Sequence, residues 1–241
     1  MLKLKNISFS YKDKKREYKI IEDLSLEIAE GEFVSLIGPS GCGKTTLVNL
    51  IAGYLEAKGG EIVFANKKVS KPGKNRVVIN QEDDLFYWMT VYENLKLVTS
   101  DEDKISSLLE LTGLSDYKKY YSKQLSGGMK KRLALARALA VESKFIIMDE
   151  PFASQDYRIK KKLYQDLLDI AAKKKVAILL ITHDLDEALG LSDRIVVMGG
   201  NPASIKGEFR IPFSEIKDLN IEKMEEYIKL KKQLKELGYN V

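Results

Sequence analysis

The sequence is poor in the residues that build secreted scaffolds or membrane spans: it has one cysteine and five prolines among 241 residues. With Cys42 alone, no disulfide can form within the chain, and a reducing compartment fits. The longest aliphatic run, VAILLI at 176–181, is far shorter than the roughly 20 residues that span a bilayer. The first residues, MLKLKNISFSYKDKK, contain no apolar signal core. We therefore expect a cytosolic protein that reaches a membrane only through a partner.

A strong charge bias is also missing, since 40 Lys and Arg face 35 Asp and Glu, a net charge of +5. The lysines are interleaved with glutamates, which favours a solvated surface over a surface for an anionic partner, although the second interpretation stays open. The length suits one large domain, or a domain with a small lobe, with a sizeable buried core.

The apolar pattern predicts an α/β protein. Alternation in NISFSY predicts a half-buried strand, and residues 20–38 predict two more strands around a turn at Glu30-Gly31. A helix is predicted from Lys44, and GGEIVFAN is predicted as a strand. Three continuous apolar runs, FIIM, AILLI and IVVM, are typical of buried parallel strands. Residues from about 84 to 140 have a helical pattern inserted between these strands. The predicted stripe of the first helix consists of Leu47, Leu50, Ile51 and Leu55.

The segment GPSGCGKTT at 38–46 follows an apolar strand and opens a helix, which is the context a phosphate loop needs. Its glycines let successive N–H groups point at phosphate oxygens, and the helix N-terminus adds partial positive charge. Lys44 can reach the β- and γ-phosphates, and the Thr45 hydroxyl can ligate Mg²⁺. The residues predicted to line the nucleotide are Gly38, Pro39, Ser40, Gly41, Cys42, Gly43, Lys44, Thr45 and Thr46.

Carboxylates and the single histidine follow two further apolar strands. Asp149 and Glu150 come after FIIM, at the strand end that faces the ligand crevice in an open α/β sheet. Asp149 suits Mg²⁺, and Glu150 is placed to take a proton from an attacking water. His183 follows AILLI and could contact a γ-phosphate or hold that water.

The segment LSGGMKKR at 125–132 allows two interpretations. Ser126 could be the N-cap of the following helix. Alternatively, its hydroxyl, the backbone N–H groups of Gly127 and Gly128, and the helix dipole could bind a phosphate.

Taken together, these segments resemble the ATPase subunit of an ATP-binding cassette (ABC) transporter over nearly the whole chain. GPSGCGKTT, the glutamine of VVINQEDD, LSGGMKKR, IIMDEP and THD occur in that family's order and spacing. The resemblance implies a P-loop NTPase core with a parallel sheet, an N-terminal antiparallel β part and an inserted helical subdomain. The implied division is a core at about 1–83 and 141–210, a helical subdomain at about 84–140, and a C-terminal helical tail at about 211–241.

The resemblance also implies roles for single residues. Tyr11 matches the aromatic position that stacks on adenine, and Gln81 would contact Mg²⁺ and the water. Lys44, Gln81, Glu150 and His183 would act in hydrolysis of ATP, with Thr45, Gln81 and Asp149 around Mg²⁺. Two copies would pair head to tail, so that Ser126, Gly127 and Gly128 of one copy cover the γ-phosphate of the other. Asp156 is retained in a segment where Ala153, Ser154 and Gln155 depart from the usual Ser-Ala-Leu.

The stretch QEDDLFYWMTVYENL at 81–95 resembles the nitrate, sulfonate and taurine importer branch, except that Phe86-Tyr87 stands where Leu-Pro is common. The implied partners are a transmembrane permease and, indirectly, a solute-binding protein, at the inner face of the cell membrane. The apolar run at 85–89 either docks on the permease or belongs to the core. The competing hypotheses are a soluble ABC ATPase acting on nucleic acid or ribosomes, and a P-loop kinase. No nucleic acid is expected, because the chain has neither a second cassette nor a long coiled-coil insertion.

Overall fold

The computed structural model describes residues 1–13, 16–80, 85–152, 157–211 and 232–233, without six side chains of the helix that begins at Tyr157. The chain forms two compact units, Met1–Gly73 with Leu179–Val241, and Lys74–Ile178. The predicted tail helix lies outside the described residues, apart from Ile211 and 232–233. The division into a core and a helical subdomain at residues 84 and 140 stays a prediction.

Strands and helices alternate between Phe145 and Gly200, as the apolar pattern predicts, and cluster by type before that stretch. In chain order they are β1 (Leu2–Asp13), β2 (Arg16–Ile28), β3 (Phe33–Ile37), α1 (Lys44–Ala52), β4 (Gly59–Phe64), β5 (Lys67–Lys68), β6 (Arg76–Ile79), α2 (Val91–Lys96), α3 (Glu102–Leu111), α4 (Gly127–Ala140), β7 (Phe145–Asp149), α5 (Tyr157–Lys174), β8 (Ala177–Ile181), α6 (Leu185–Leu191), β9 (Arg194–Gly200) and β10 (Ala203–Arg210).

The first unit joins an antiparallel part to a parallel part, in the strand order β5-β4-β1-β2-β10-β9-β3. β1 pairs antiparallel with β2 and with β4, which confirms the predicted N-terminal antiparallel region. β3 pairs parallel with β9, from Val34 opposite Arg194 to Ile37 opposite Val197. All five residues of β3 are buried, as expected for a strand covered on both faces. The sequence pattern did not predict β10, whose residues are mostly half-buried or exposed.

α6 packs on this parallel part through an apolar cluster. Ile37 at the end of β3, Leu185 and Leu189 of α6, and Ile195 and Val197 of β9 are all at most 6% exposed. Burial of such side chains stabilises a fold by about 1.5–3 kcal/mol each. The cluster fixes the carboxyl end of β3, from which the phosphate loop leaves.

In the described residues of the second unit, β6 and β7 are accompanied by the α-helices α2, α3, α4 and α5. β6 pairs parallel with β7, from Arg76 opposite Phe145 to Ile79 opposite Met148. Three of the helices, α2, α3 and α4, lie within the stretch 84–140 that the sequence predicts to be helical. In α4, Leu133, Ala136 and Ala140 form a buried apolar stripe.

The predicted length of α1 is wrong at its C-terminal end. The helix stops at Ala52, and Gly53 takes a left-handed φ of 84°, with its N–H directed at the carbonyl oxygens of Asn49 and Leu50. A glycine in this conformation is a common helix end. Leu55 therefore lies beyond the helix and is only half-buried, whereas Leu47, Leu50 and Ile51 form the buried stripe as predicted.

Candidate nucleotide site and signature segment

The phosphate loop runs from Gly38 to Gly43, between the last residue of β3 and the first of α1. Gly41 and Gly43 have positive φ angles of 76° and 100°, which side chains other than glycine disfavour. A Cβ atom at Gly38 would lie 2.4 Å from the carbonyl oxygen of Met198, and one at Gly43 would lie 2.9 Å from Cγ2 of Ile20. The loop backbone therefore lies against Met198 of β9 at Gly38 and against the Ile20 side chain of β2 at Gly43, where only glycine fits.

Lys44 is folded over the loop from which it comes. Its side chain is 9% exposed, and Nζ donates to the carbonyl oxygens of Gly38, at 2.7 Å, and Pro39, at 3.0 Å. Thr45 is exposed beside it, whereas Thr46 is buried. A buried ammonium group needs polar partners, and phosphate oxygens supply the same kind of partner as these carbonyls. The cation thus lies inside a preformed, glycine-lined loop.

Cys42 points into the protein rather than toward the exposed part of the loop at Pro39 and Ser40. Its Sγ lies 3.8 Å from the carbonyl oxygen of Met198. Burial raises the pKa of the thiol, and the positive charge of Lys44 opposes that shift without cancelling it. Cys42 is therefore a packing residue of the loop.

Tyr11 lies near the end of β1, with 44% of its surface exposed. Its ring makes an edge-to-face contact with Phe9, whose centroid is 5.0 Å away, and Phe9 is buried. The contact holds the Tyr11 ring while leaving much of it accessible, which suits an adenine-stacking residue. That role stays a prediction.

The second unit carries the paired carboxylates where the sequence predicts them. Asp149 is the last residue of β7, and both Asp149 and Glu150 are half-buried. Glu150 has a φ of +47°, a left-handed conformation that costs a residue with a side chain roughly 1–2 kcal/mol. Backbone of this kind concentrates at functional sites, where the surroundings impose it. The apolar pattern gave no sign of this conformation.

His183 lies two residues beyond the end of β8 and is exposed. The turn that carries it is held by Thr182, whose hydroxyl accepts from the N–H of Asp184, at 3.0 Å, and donates to a carboxylate oxygen of Glu187, at 2.6 Å. Thr182 and Glu187 are at most 3% exposed. This buried pair was not identified from the sequence. The signal that could have indicated it is the polar Thr182 between the apolar run AILLI and His183.

The signature segment begins α4 with a serine cap. Ser126 has an extended backbone, and its Oγ accepts from the N–H of Met129 at 3.3 Å. Ser126 and Gly127 are exposed, while Gly128 is buried. The N-cap interpretation is thus correct, and it leaves the hydroxyl proton of Ser126 able to donate elsewhere. Capping and phosphate binding are compatible.

The apolar run at 85–89 divides between core and surface. Leu85 is 6% exposed, whereas Tyr87 is 42% and Trp88 is 68% exposed, so burial of all five side chains is excluded. Phe86 and Trp88 meet edge to face at 5.4 Å. Cationic groups lie over two of the rings, Lys130 over Tyr87 at 5.2 Å and Arg137 over Phe86 at 5.4 Å. We call Phe86, Tyr87 and Trp88 the aromatic loop.

Asn94 of α2 is fully buried and holds the backbone of the aromatic loop through hydrogen bonds. Its Oδ1 accepts from the N–H of Phe86 at 3.1 Å, and its Nδ2 lies within 3.4 Å of the carbonyl oxygens of Phe86, Met89 and Thr90. Nδ2 also donates to the hydroxyl of Ser122 at 2.9 Å. Sequence reasoning noticed Asn94 only as part of a branch pattern and missed this role.

Eight predicted or noted residues fall outside the described part of the chain. Their roles stay predictions, and they are Gln81, Glu82, Asp83, Asp84, Ala153, Ser154, Gln155 and Asp156.

The sequence matches a known protein family. The sequence profile described as ABC transporter matches residues 21–153. The chain belongs to the ABC transporter family. It is 37% identical over 226 residues to the bicarbonate transport ATP-binding protein CmpD of Synechococcus elongatus, covering 89% of this chain and 81% of that one. It is also 37% identical over 224 residues to the taurine import ATP-binding protein TauB of Roseobacter denitrificans, covering 89% and 84%. Nitrate and aliphatic sulfonate import ATP-binding proteins are among the other matches.

A solved structure agrees with this ABC family membership. The dimeric post-hydrolysis state of an ATP-binding cassette bound to ADP and Pi superposes with a TM-score of 0.76 at 27% identity, over 88% of this chain and 99% of that one. The predicted fold is confirmed, and the chain is an ATP-binding, ATP-hydrolysing subunit of an ABC transporter. In the part of the chain that the structure describes, no helix has the length and apolar character needed to cross a bilayer.

Proposed function

We propose that two copies of this chain hydrolyse ATP to drive import of a small oxyanion-bearing solute through a separate permease. The relatives that support this proposal are named for bicarbonate, nitrate, taurine and aliphatic sulfonates. All four solute classes carry a compact, oxygen-rich anionic group. Selection of one of them belongs to the permease and a solute-binding protein, because the phosphate loop and the carboxylates serve only ATP.

The phosphate loop supplies the nucleotide site. Lys44, which now binds two loop carbonyls, would hold the β- and γ-phosphate oxygens. Thr45, which is exposed, would supply a hydroxyl ligand to Mg²⁺. Hydroxyl and carboxylate oxygens are the donors that Mg²⁺ prefers, so Thr45 and Asp149 fit that ion. When bound, Mg²⁺ neutralises charge that develops on the phosphates.

The reaction itself needs a base and a positioned water. Glu150 takes the proton from the attacking water, and its imposed backbone conformation fixes the direction of its side chain. His183, on a turn held by buried Thr182 and Glu187, contacts the γ-phosphate or the water. Gln81 and Asp156, which lie outside the described residues, would contact Mg²⁺ with the water and the nucleotide, respectively. Stabilisation of the charge on the transferred phosphoryl group is the main catalytic effect in such sites.

The signature segment completes the site of the other copy. Its exposed Ser126 and Gly127 begin α4, so their N–H and O–H groups and the helix dipole are available to an incoming γ-phosphate. The observation that supports pairing of two copies is the exposure of this helix start. Lys44 is already bound by its own phosphate loop, so the exposed groups at Ser126 and Gly127 are available to the nucleotide of a second copy.

The aromatic loop is the proposed docking surface for the permease. Trp88 and Tyr87 are exposed beyond what a soluble surface needs, and aromatic side chains dominate binding hot spots. A permease segment with apolar side chains for these rings and basic residues for the neighbouring Glu82, Asp83 and Asp84 of the sequence fits this surface.

The test is reconstitution with the permease and solute-binding protein that are encoded with this chain. We expect bicarbonate, nitrate, taurine or an alkanesulfonate to stimulate both ATP hydrolysis and solute uptake, and Glu150→Gln to abolish both. Trp88→Ala is expected to keep basal hydrolysis and lose uptake. Hydrolysis that no permease and no member of this panel changes would contradict the proposal.

A further inference from the structure

Tyr18 of β2 lies directly opposite Tyr11 of β1 in the antiparallel register. Opposed residues in such a pair project from the same face of the sheet, with Cβ atoms about 4.5–5.5 Å apart. Tyr18 is 49% exposed, slightly more than Tyr11. The two strands therefore present two accessible phenol rings side by side at the end of one ribbon.

The same face of β2 leads to the phosphate loop. Ile20 is the β2 residue that approaches Gly43 so closely that no Cβ fits there. Tyr18 precedes Ile20 by two residues, and strand residues two apart share a face, roughly 7 Å apart. The register shifts by one residue between Phe9 and Ser10, which leaves Ile20 unpaired and on the side of Phe9 and Tyr11. The face that carries Tyr11 and Tyr18 is thus continuous with the phosphate loop at Gly43, within reach of the base of a nucleotide bound there.

The opposite face of the ribbon has a separate role. There Lys58 donates to the hydroxyl of Ser10, at 2.8 Å, and to the carboxylate of Glu17, at 3.1 Å. This polar network stabilises the ribbon from behind. It leaves the tyrosine face to apolar and aromatic contacts, as a base requires.

We infer that Tyr18 is a second base-binding residue, which with Tyr11 forms a two-ring platform that favours purine over pyrimidine nucleotides. A purine has enough surface to contact both rings, whereas a pyrimidine covers one. Base–aromatic stacking is worth about 1–3 kcal/mol per base. The inference rests on the proposed placement of the base against Tyr11.

The experiment titrates the purified chain with ADP and with CDP by calorimetry, so that hydrolysis does not interfere. Tyr18→Ala is expected to weaken ADP binding about tenfold, which corresponds to about 1.4 kcal/mol, and CDP binding much less. Tyr18→Phe keeps the ring and is expected to bind ADP within about twofold of the parent. Tyr54→Ala is the matched control, because Tyr54 is a 62% exposed tyrosine of the same unit on another segment.

The outcomes separate this inference from the proposed function. If Tyr11→Ala weakens ADP binding and Tyr18→Ala does not, the two-ring platform is wrong and the base site at Tyr11 stands. If neither variant weakens ADP binding, the base lies elsewhere. The two-ring platform and the proposed stacking of the base on Tyr11 are then both wrong. Equal losses of ADP and CDP in Tyr18→Ala would also overturn the inference, because they indicate a ribbon that supports the loop rather than a ring that reads the base. A ribbon-supporting role would in addition lower the melting temperature of Tyr18→Ala.

Discussion

The phosphate loop of the first unit and the signature segment of the second are both glycine-containing starts of a helix, but their polar groups are used differently. In the loop, Lys44 is 9% exposed and binds two carbonyls of the loop itself. In the signature segment, Ser126 and Gly127 face solvent, and the serine hydroxyl accepts one cap bond. Similar local chemistry thus yields a buried cation in one place and an exposed helix start in the other.

The two segments differ in whether their contacts are made within the same chain. The loop is closed by β2 and β9, through contacts at Gly43 and Gly38 that leave no space for a side chain. The signature segment and the aromatic loop of the second unit instead carry exposed serine, glycine, tyrosine and tryptophan, which suits contact with another molecule. The first unit carries the buried lysine of the phosphate loop, and the second unit carries the exposed signature segment and aromatic loop.

The largest expected effect comes from Ser126→Arg, which places a long cation on the exposed helix start. We expect hydrolysis to fall at least ~10²-fold, as for loss of a group that stabilises transition-state charge, while ADP affinity stays within about twofold. Lys44→Ala should instead weaken nucleotide binding itself. Steady-state hydrolysis and ADP titration on the two variants measure the contrast. If Ser126→Arg weakened ADP binding as much as Lys44→Ala, the signature would belong to the site of its own chain.

Glu150→Gln should slow hydrolysis to a similar extent. It tests whether the phosphate loop of one copy meets the signature segment of another. Loss of the base should slow hydrolysis ~10²- to 10⁴-fold, with ATP still bound. The stalled protein should then elute as a dimer with saturating Mg-ATP and as a smaller species without nucleotide. Size-exclusion chromatography with light scattering decides this. A monomer at high concentration with Mg-ATP would leave the exposed helix start without its partner.

A smaller effect is expected on stability, where Asn94, which anchors the aromatic loop, is compared with Trp88, which lies on its surface. Asn94→Ala removes the buried amide beneath the aromatic loop and leaves backbone groups unpaired, so we expect a loss of about 2–3 kcal/mol in the free energy of unfolding. For a chain of this size that corresponds to roughly 5–10 °C in melting temperature. Trp88→Ala changes an exposed side chain, and we expect less than ~0.5 kcal/mol. Thermal melts of both variants provide the comparison.

The docking interpretation depends on that contrast. A truncated core aromatic would cost about 3–5 kcal/mol, so early melting of Trp88→Ala together with lost basal hydrolysis would assign Trp88 to the core. Tyr120→Ala serves as a control, because Tyr120 is exposed in the same unit and outside the aromatic loop.

The smallest effect compares reactivity rather than energy. Cys42 is buried with a raised pKa, so at pH 7–8 its thiolate fraction is below that of an ordinary cysteine, and it grows until the pH passes the raised pKa. We expect slow alkylation by iodoacetamide that accelerates as the pH rises. In a Cys42→Ala background, Ser126→Cys should react faster, because that position is exposed at a helix start, which lowers a thiol pKa. Equal rates would erase the distinction between the buried Cys42 and the exposed helix start.

The sequence predicted those parts of the site that depend on local pattern. GPSGCGKTT between an apolar strand and a helix fixed the loop, and FIIM fixed the position of Asp149, because both rest on neighbours in the chain. The anchoring by Asn94 and the Thr182–Glu187 pair could not be predicted, because they join a side chain to partners that only folding brings near. The exposure of Trp88 was open for a similar reason, since a loop has no periodicity to reveal its buried side. α1 was predicted too long because Leu55 fits the helical stripe, and the left-handed Gly53 outweighs that pattern.

The bonds of Asn94 have a consequence for how this subunit can change partners. Within the segment 86–90 every group that Asn94 contacts belongs to the backbone: the N–H and carbonyl of Phe86 and the carbonyls of Met89 and Thr90. The backbone bonds that hold the segment thus do not use the exposed side chains of Tyr87 and Trp88. We therefore expect that exchanging Tyr87 and Trp88 leaves the fold of the unit intact and alters binding of the proposed permease partner, because the anchor of the segment is Asn94.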